Sequence, residues 1–264
     1  MPELIEVEYY RRLADRAVGR TVAEVLAPDA WFLKGGLVAS DVAAAVTGAT
    51  FAATDRIGKL LLVDLGEERP TLGLRFGMTG RLMLDDQASQ VLEYSSSRDD
   101  PAWDRFSLRF DDGGLLRMQD PRRLGGVLLD PDLGQLGPDA WSISLAQLRH
   151  ALDGSTTPLK ARLLDQAKVA GLGNLLADES LWRAGIDPAR PAGGLADEEV
   201  RRLHRTIRKT VQLLFDRGGS HTGDLQAQRR RDGVCPKDGA PLLRRTIGGR
   251  TTYSCPVHQV GPGR

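Results

Sequence analysis

The chain has 264 residues, enough for two domains, and its 41% hydrophobic and 27% charged composition is that of an ordinary globular protein. No apolar run approaches the ~20 residues a membrane span requires and no signal-peptide pattern opens the sequence, so the expectation is a cytoplasmic protein with no membrane partner (nucleoid-associated in a bacterium). The net charge of +1 hides a polarity: residues 201–264 hold fourteen Lys and Arg against four Asp and no Glu, a net of +10 that leaves −9 for residues 1–200.

The opening MPELIEVEYY sets Pro2 ahead of Glu3, Glu6 and Glu8. Proline at the first helical position and acids in the first turn suit a helix start. The sharper alternative is that Met1 is removed, which leaves a secondary amine beside a carboxylic acid. Val7, Tyr10, Leu13, Ala14, Ala17 and Val18 continue at helical spacing as far as Gly19. From about residue 21 to 130 the pattern shortens into strands, KLLLVDL, TLGLRFGM, RLMLD, RFSLRF and GLLRMQD, punctuated by Gly, Asp and Pro. This reads as a β-sandwich. DLGQLGPDAWS at 132–142 is the boundary, and helical periodicity follows in SLAQLRHALDG, PLKARLLDQAKVAGLGNLLADESLWRAG and ADEEVRRLHRTIRKTVQLLFDRGG. Gly154, Gly185 and Gly218 stand where helix ends are expected. HTGDLQAQRRRDGV is too polar for a core, and CPKDGAPLLRRTIGGRTTYSCPVHQ reads as a hairpin with turns at Asp238-Gly239 and Gly248-Gly249.

Three features carry chemistry. Cys235 and Asp238 are separated by two residues, as are Cys255 and His258, and sixteen residues lie between the pairs. Two ligand-bearing turns across a hairpin match a structural zinc site, although a carboxylate is unusual in a closed one; in the cytoplasm a disulfide is disfavoured. GLGN at 171–174 offers backbone N–H groups and the Asn174 amide to a phosphate, with a helix-packing contact as the plainer reading. The basic C-terminal quarter points to a polyanion, a solvated tail being the alternative. Aromatic residues make up only 5% of the chain, so phosphate contact with a duplex is expected over base stacking on single strands.

With DPRRLGG at 120–126, the chain resembles the formamidopyrimidine-DNA glycosylase/endonuclease VIII family of base-excision-repair enzymes over nearly its whole length. MPELIEVE resembles the family opening Pro-Glu-Leu-x-Glu-Val-Glu, and RIGKLLL the strand that carries a lysine, here Lys59. FGMTG at 76–80 is similar to Leu-Gly-Met-(Ser/Thr)-Gly, and DPRRLG to Asp-Pro-Arg-Arg-Phe-Gly. LLDQAKVAGLGNLLADESLW resembles the helix–two-turns–helix motif, and Arg250 the arginine before the last zinc-ligand pair.

The resemblance implies an α+β protein: a catalytic β-sandwich with flanking helices over 1–131, a hinge at 132–143, a helix–two-turns–helix DNA-binding domain at 144–220 and a zinc hairpin at 221–264. It implies a monomeric bifunctional glycosylase and abasic-site lyase that binds damaged double-stranded DNA between its domains and carries one structural Zn2+. Pro2 would attack C1′ of the damaged nucleotide once Met1 is gone, Glu3 would serve as acid–base and Lys59 would sit near the substrate phosphate, with Glu6 in support. Met78 and Arg122 would fill the gap left by a flipped nucleotide, while Lys160, Asn174 and Arg250 contact phosphates. Cys235, Asp238, Cys255 and His258 would hold the zinc. Each role has a plainer counterpart: Glu3 as a helix-terminal carboxylate, Lys59 as a strand-edge charge, Met78 as a core residue inside a strand, Arg122 as a loop ion-pair former. Two other readings are a family member that binds damaged DNA without cutting it, favoured if Met1 is retained, and an RNA-binding zinc protein.

Four departures matter. Ile5 stands where the family has proline, and Leu124 replaces the phenylalanine that probes the opposing strand, which alters opposite-base selectivity. The zinc set has two thiolates rather than four, so retention is weaker and His258 protonates first in acid. The segment HTGDLQAQRRRDGV is shorter than the one such enzymes close over an everted oxidised purine. A more open pocket follows, for oxidised pyrimidines, ring-opened purines, hydantoins or abasic sites.

Overall fold

The structure, a computed structural model, describes residues 2–88 and 98–260. The chain divides into two compact units, Met1–Leu133 and Gly134–Arg264.

In the first unit, α1 (Leu4–Asp15) starts directly behind Pro2, with Glu3 as its N-cap residue. The Glu3 N–H donates to Glu6 Oε2 at 2.8 Å, which satisfies one donor that helix geometry leaves open. Then come β1 (Val22–Leu26), a single tight turn at 30–32 and α2 (Ala39–Val46). This short helix, which buries only Val42 and Val46, interrupts the stretch read as strands. β2 (Ala53–Ile57), β3 (Leu60–Asp64), β4 (Leu72–Arg75), β5 (Arg81–Leu84), β6 (Gln87–Ala88), β7 (Asp104–Phe110), β8 (Leu115–Gln119) and β9 (Gly126–Leu129) follow.

These strands form two antiparallel sheets, ordered β1-β7-β8-β5-β6 and β2-β3-β4-β9. Leu61, Val63, Leu72 and Leu74 of one sheet share a buried core with Leu82, Phe106, Leu108, Leu116 and Met118 of the other. Each such side chain contributes about 1.5–3 kcal/mol by leaving water. Two expectations are corrected here. β4 ends at Arg75, so Met78 lies in a turn and not inside a strand; Lys59 likewise lies in the Gly58-Lys59 turn between β2 and β3 and not on a strand. Gly58, at φ +57°, supplies the left-handed residue that a tight two-residue hairpin turn needs.

The second unit holds α3 (Leu145–Leu152), α4 (Leu159–Leu164), α5 (Asn174–Ala184) and α6 (Asp197–Asp216), then a hairpin of β10 (Leu243–Ile247) and β11 (Arg250–Ser254). The helical run read through DQAKVAG stops at Leu164. Asp165 turns the chain by accepting from the Ala167 N–H (3.0 Å), and Gln166 ties the connector together, donating to the Leu164 and Leu172 carbonyls and accepting from the Gly171 N–H. Two adjacent polar side chains thus do the work of helix hydrogen bonds. HTGDLQAQRRRDGV is not wholly surface: Leu225 is fully buried with Trp182, Cys235 and Cys255.

Candidate functional site

Pro2, Glu3 and Glu6 are all buried at the start of α1, the two carboxylates at 1% and 3% exposure. Carboxylates at this depth, where an apolar side chain would pack at less cost, point to a task beyond capping a helix. Contacts between α1 and β2 set the position of Lys59. Thr54 meets Arg11 (3.3 Å) and Asp15 (2.8 Å), while Arg56, two residues on, meets Glu8 (3.5 Å). β2 therefore runs against the direction of α1, and continuing it brings the half-buried Lys59 turn to the Pro2 end of the helix.

A second group forms around Asp120, which is completely buried. One carboxylate oxygen accepts from Thr79 Oγ1 (2.6 Å) and the Arg122 N–H (3.1 Å), and the other from the Leu124 and Gly125 N–H groups (2.8 Å each). One side chain thus fastens the FGMTG turn and the DPRRLG loop to each other. Gly77, at φ +58°, is where they touch: a Cβ there would lie 2.4 Å from the Leu124 carbonyl carbon. Tyr10 Oη donates to the Gly80 carbonyl (3.2 Å) and so links α1 to the same turn. Burial raises the Tyr10 phenol above its ordinary pKa, which keeps it a neutral donor. Met78 is half-buried on this platform; Arg122 is exposed, and Leu124 is 50% exposed. The local signal for Asp120 is an aspartate ahead of proline, whose carboxylate binds the N–H groups that follow.

In the second unit Asn174 is the first residue of α5, with Gly173 as N-cap. Asp178 accepts from the Tyr253 N–H (3.3 Å), and one turn later the Trp182 carbonyl meets His258 Nε2 (3.1 Å) beyond the end of β11. α5 and β11 thus run in the same sense, which carries Asn174 and the exposed Arg250 to one end. Lys160 needs correction. It is 0% exposed, its ammonium lying 2.7 Å from Asp178 Oδ1, 2.7 Å from Thr252 Oγ1 and 3.1 Å from the Thr251 carbonyl. Enclosed in this way it locks α4 and α5 to the hairpin and cannot touch a phosphate. Arg229 completes the arrangement as a second cation on Asp178.

Cys235 Sγ, a carboxylate oxygen of Asp238, Cys255 Sγ and a ring nitrogen of His258 lie within 4.8 Å of one another. His258 Nδ1 is 2.7 Å from Asp238 Oδ2, and Nε2 is held by the Trp182 carbonyl, which leaves Nδ1 as the ligand atom. The Lys237 N–H donates to Cys235 Sγ (3.4 Å) and the Val257 N–H to Cys255 Sγ (3.3 Å), a pattern suited to thiolates. Burial pushes the Cys255 thiol up to about 11, whereas the hydrogen bond from His258 holds the Asp238 carboxyl well below its usual range. A divalent cation would offset the cost of a buried thiolate by binding it. The donor set fits zinc, and all four residues expected to hold it are together.

Two family models match: the formamidopyrimidine-DNA glycosylase N-terminal domain over residues 1–127, and the formamidopyrimidine-DNA glycosylase H2TH domain over 136–225. A formamidopyrimidine-DNA glycosylase of Symbiobacterium thermophilum is 37% identical, covering 99% of this chain and 90% of that protein. The chain belongs to the formamidopyrimidine-DNA glycosylase family. A relative of the same name from Thermus thermophilus is 35% identical over 98% of both chains. Among solved structures, a complex of the Lactococcus lactis protein with abasic-site DNA matches with a TM-score of 0.81 at 27% identity, covering 97% of this chain and 99% of that one. A mutant of that protein with Fapy-dG DNA matches at 0.82 and 28%, covering 98% and 99%.

On this formamidopyrimidine-DNA glycosylase frame, the residues picked from sequence fall into four places: Pro2, Glu3, Glu6 and Lys59 at one end of α1, Met78 and Arg122 on the two fastened loops, Asn174 and Arg250 at one end of α5 and β11, and the metal set. Met1 lies outside the described residues. Asp120 and Asp178, with partners elsewhere in the chain, and Gln166, within its own connector, hold these places in shape. Among the described residues no helix is long and apolar enough to cross a membrane.

Proposed function

We propose that this chain is a bifunctional DNA glycosylase and abasic-site lyase, acting as a monomer on oxidised or ring-opened bases and abasic sites in double-stranded DNA, in the cytoplasm. The observation that carries the reading is the buried Pro2-Glu3-Glu6 start of α1 with Lys59 at the same end. The relatives named formamidopyrimidine-DNA glycosylase and the L. lactis complexes with abasic-site and Fapy-dG DNA support the substrate class. Residues 1–131 supply the chemistry, 132–143 the hinge, 144–220 and 221–264 the DNA contacts.

With Met1 removed, Pro2 is a secondary amine with a pKa of about 8, partly neutral at physiological pH. It attacks C1′, the bond from C1′ to the base breaks, and the base leaves with the bonding electron pair. The amine loses its proton, and Glu3 gives one to the ring oxygen as the sugar opens, which yields an iminium ion between Pro2 and C1′. The iminium acidifies the C2′ proton, and its loss expels the 3′ phosphate; a second elimination expels the 5′ phosphate. Glu6 holds the Glu3 backbone, and Lys59 steadies the phosphate charge. Met78 and Arg122 fill the space of the flipped nucleotide, and Asn174 and Arg250 hold phosphates. Cys235, Asp238, Cys255 and His258 would bind a zinc ion whose role is structural, fixing the hairpin that presents Arg250.

The test is borohydride trapping on a duplex with an abasic site, mapped by mass spectrometry. The expected result is an adduct at Pro2 that is absent from Pro2→Gly and from protein retaining Met1. No adduct from processed, zinc-loaded protein that still binds the DNA would leave a binding protein in place of an enzyme.

A further inference from the structure

Arg123 lies between two exposed residues of the DPRRLG loop, Arg122 and Leu124, yet its own side chain is tied down. Its Nε and Nη2 donate to Asp29 Oδ2 and Oδ1, both at 2.6 Å, a bidentate pair between positions 94 residues apart. Asp29 is 8% exposed and held in place: it accepts from the Trp31 N–H (3.1 Å), and Arg105, which donates to the Asp120 carbonyl (2.9 Å), stands 3.8 Å away. Arg123 has φ +57°, a left-handed conformation that a long side chain rarely adopts without an outside hold. The turn reverses the backbone at Arg123, whose side chain stays 48% exposed but is anchored at its guanidinium to the buried Asp29.

We infer that Asp29, acting through Arg123, is the positioning residue that presents Arg122 and Leu124 to the strand opposite the lesion, and so helps set opposite-base selectivity. This rests on the reading proposed above. Asp120 fixes the backbone ends of the loop; the Asp29–Arg123 pair fixes its middle. It also sets a buried carboxylate against one of two adjacent guanidiniums at the surface of the loop.

A readout independent of catalysis is 2-aminopurine placed opposite a tetrahydrofuran abasic analogue, since its fluorescence rises when a wedge unstacks it. Wild type raises the signal at saturation. Asp29→Ala and Arg123→Ala each cut the rise about threefold, and the double variant cuts it no further, because the two residues act as one unit. On a cleavable lesion, the ratio of kcat/KM between the most and least favoured opposite bases narrows about fivefold in Asp29→Ala, as expected for loss of a charge-assisted pair. Borohydride trapping on single-stranded abasic DNA, where there is no opposite base, stays within about twofold. An unchanged 2-aminopurine response with an unchanged ratio overturns the inference, as does an equal loss on every substrate including the single strand. A wild type that unstacks 2-aminopurine but never forms an adduct defeats the catalytic reading and leaves this inference standing, provided Asp29→Ala reduces the signal.

Discussion

The fastened loops of the first unit and the hairpin of the second each carry an exposed arginine, Arg122 and Arg250, but they are held by different means. The loops rise from a large two-sheet core, so fixing them takes only hydrogen bonds: one buried carboxylate on four donors, and one ion pair at the tip. The hairpin has only Ile247 and Tyr253 as buried apolar residues on its strands, beside a small cluster of Trp182, Leu225, Cys235 and Cys255. That is too little apolar area to stabilise two strands, so the unit adds the metal ligands, the Lys160–Asp178–Arg229 group, and Glu179 accepting from the Asp224 and Leu225 N–H groups. Where hydrophobic burial is plentiful, polar groups orient; where it is scarce, they hold the fold.

The largest effect should come from taking away the metal. Binding energy of a structural zinc is folding energy, about 10–16 kcal/mol in small zinc domains. Treating the protein with a strong chelator should release the hairpin, shift Trp182 fluorescence to that of an exposed indole and weaken DNA binding at least about 100-fold, while amides of the β5–β8 pairing stay protected. If DNA affinity and Trp182 emission survive chelation, the hairpin is self-supporting and the contrast between the regions disappears.

A smaller effect separates support from contact within the hairpin. Lys160→Met removes one partner of a buried pair and should destabilise the second unit by about 3 kcal/mol, without altering the salt dependence of DNA binding in protein that remains folded. Arg250→Gln should do the reverse: stability within about 0.5 kcal/mol of wild type, and a slope of log affinity against log salt that falls by about 1. A reduced salt slope in folded Lys160→Met would return Lys160 to the DNA surface.

Lys160 also shows why sequence reading stops where it does. Leu159, Lys160 and Leu163 are all buried on α4, and the reason a lysine can be among them is Asp178, on another helix. Hydrophobic periodicity has no symbol for a charge neutralised from elsewhere in the chain. The same holds for Asp29 and Arg123, each an ordinary polar residue until the fold joins them. Elements with local causes were legible: α1 from its spacing, the hairpin turn from Gly248-Gly249, the metal set from its paired intervals. FGMTG misled because apolar residues run through it. What makes it a turn is the left-handed Gly77 packed on Leu124, a contact with a distant loop.

The smallest expected effect is an acid one, and its onset distinguishes the two regions once more. The Arg123 guanidinium hydrogen-bonded to Asp29 holds that carboxyl below the usual aspartate range. A lowered folded pKa means the pair contributes its full stability above the unfolded value, about 3.9, and loses it as pH falls through the folded one. The stability gap between wild type and Asp29→Asn, read from exchange of the slowest amides of the β5–β8 sheet, should therefore be flat from pH 6 to about 4 and close only below that. Zinc retention falls in acid too, because every proton taken up by a ligand competes with the metal, but its weakening begins at milder acidity. A gap that closes well above pH 4 would mean that Asp29 is not ionised against Arg123, and the middle of the loop would then need another anchor.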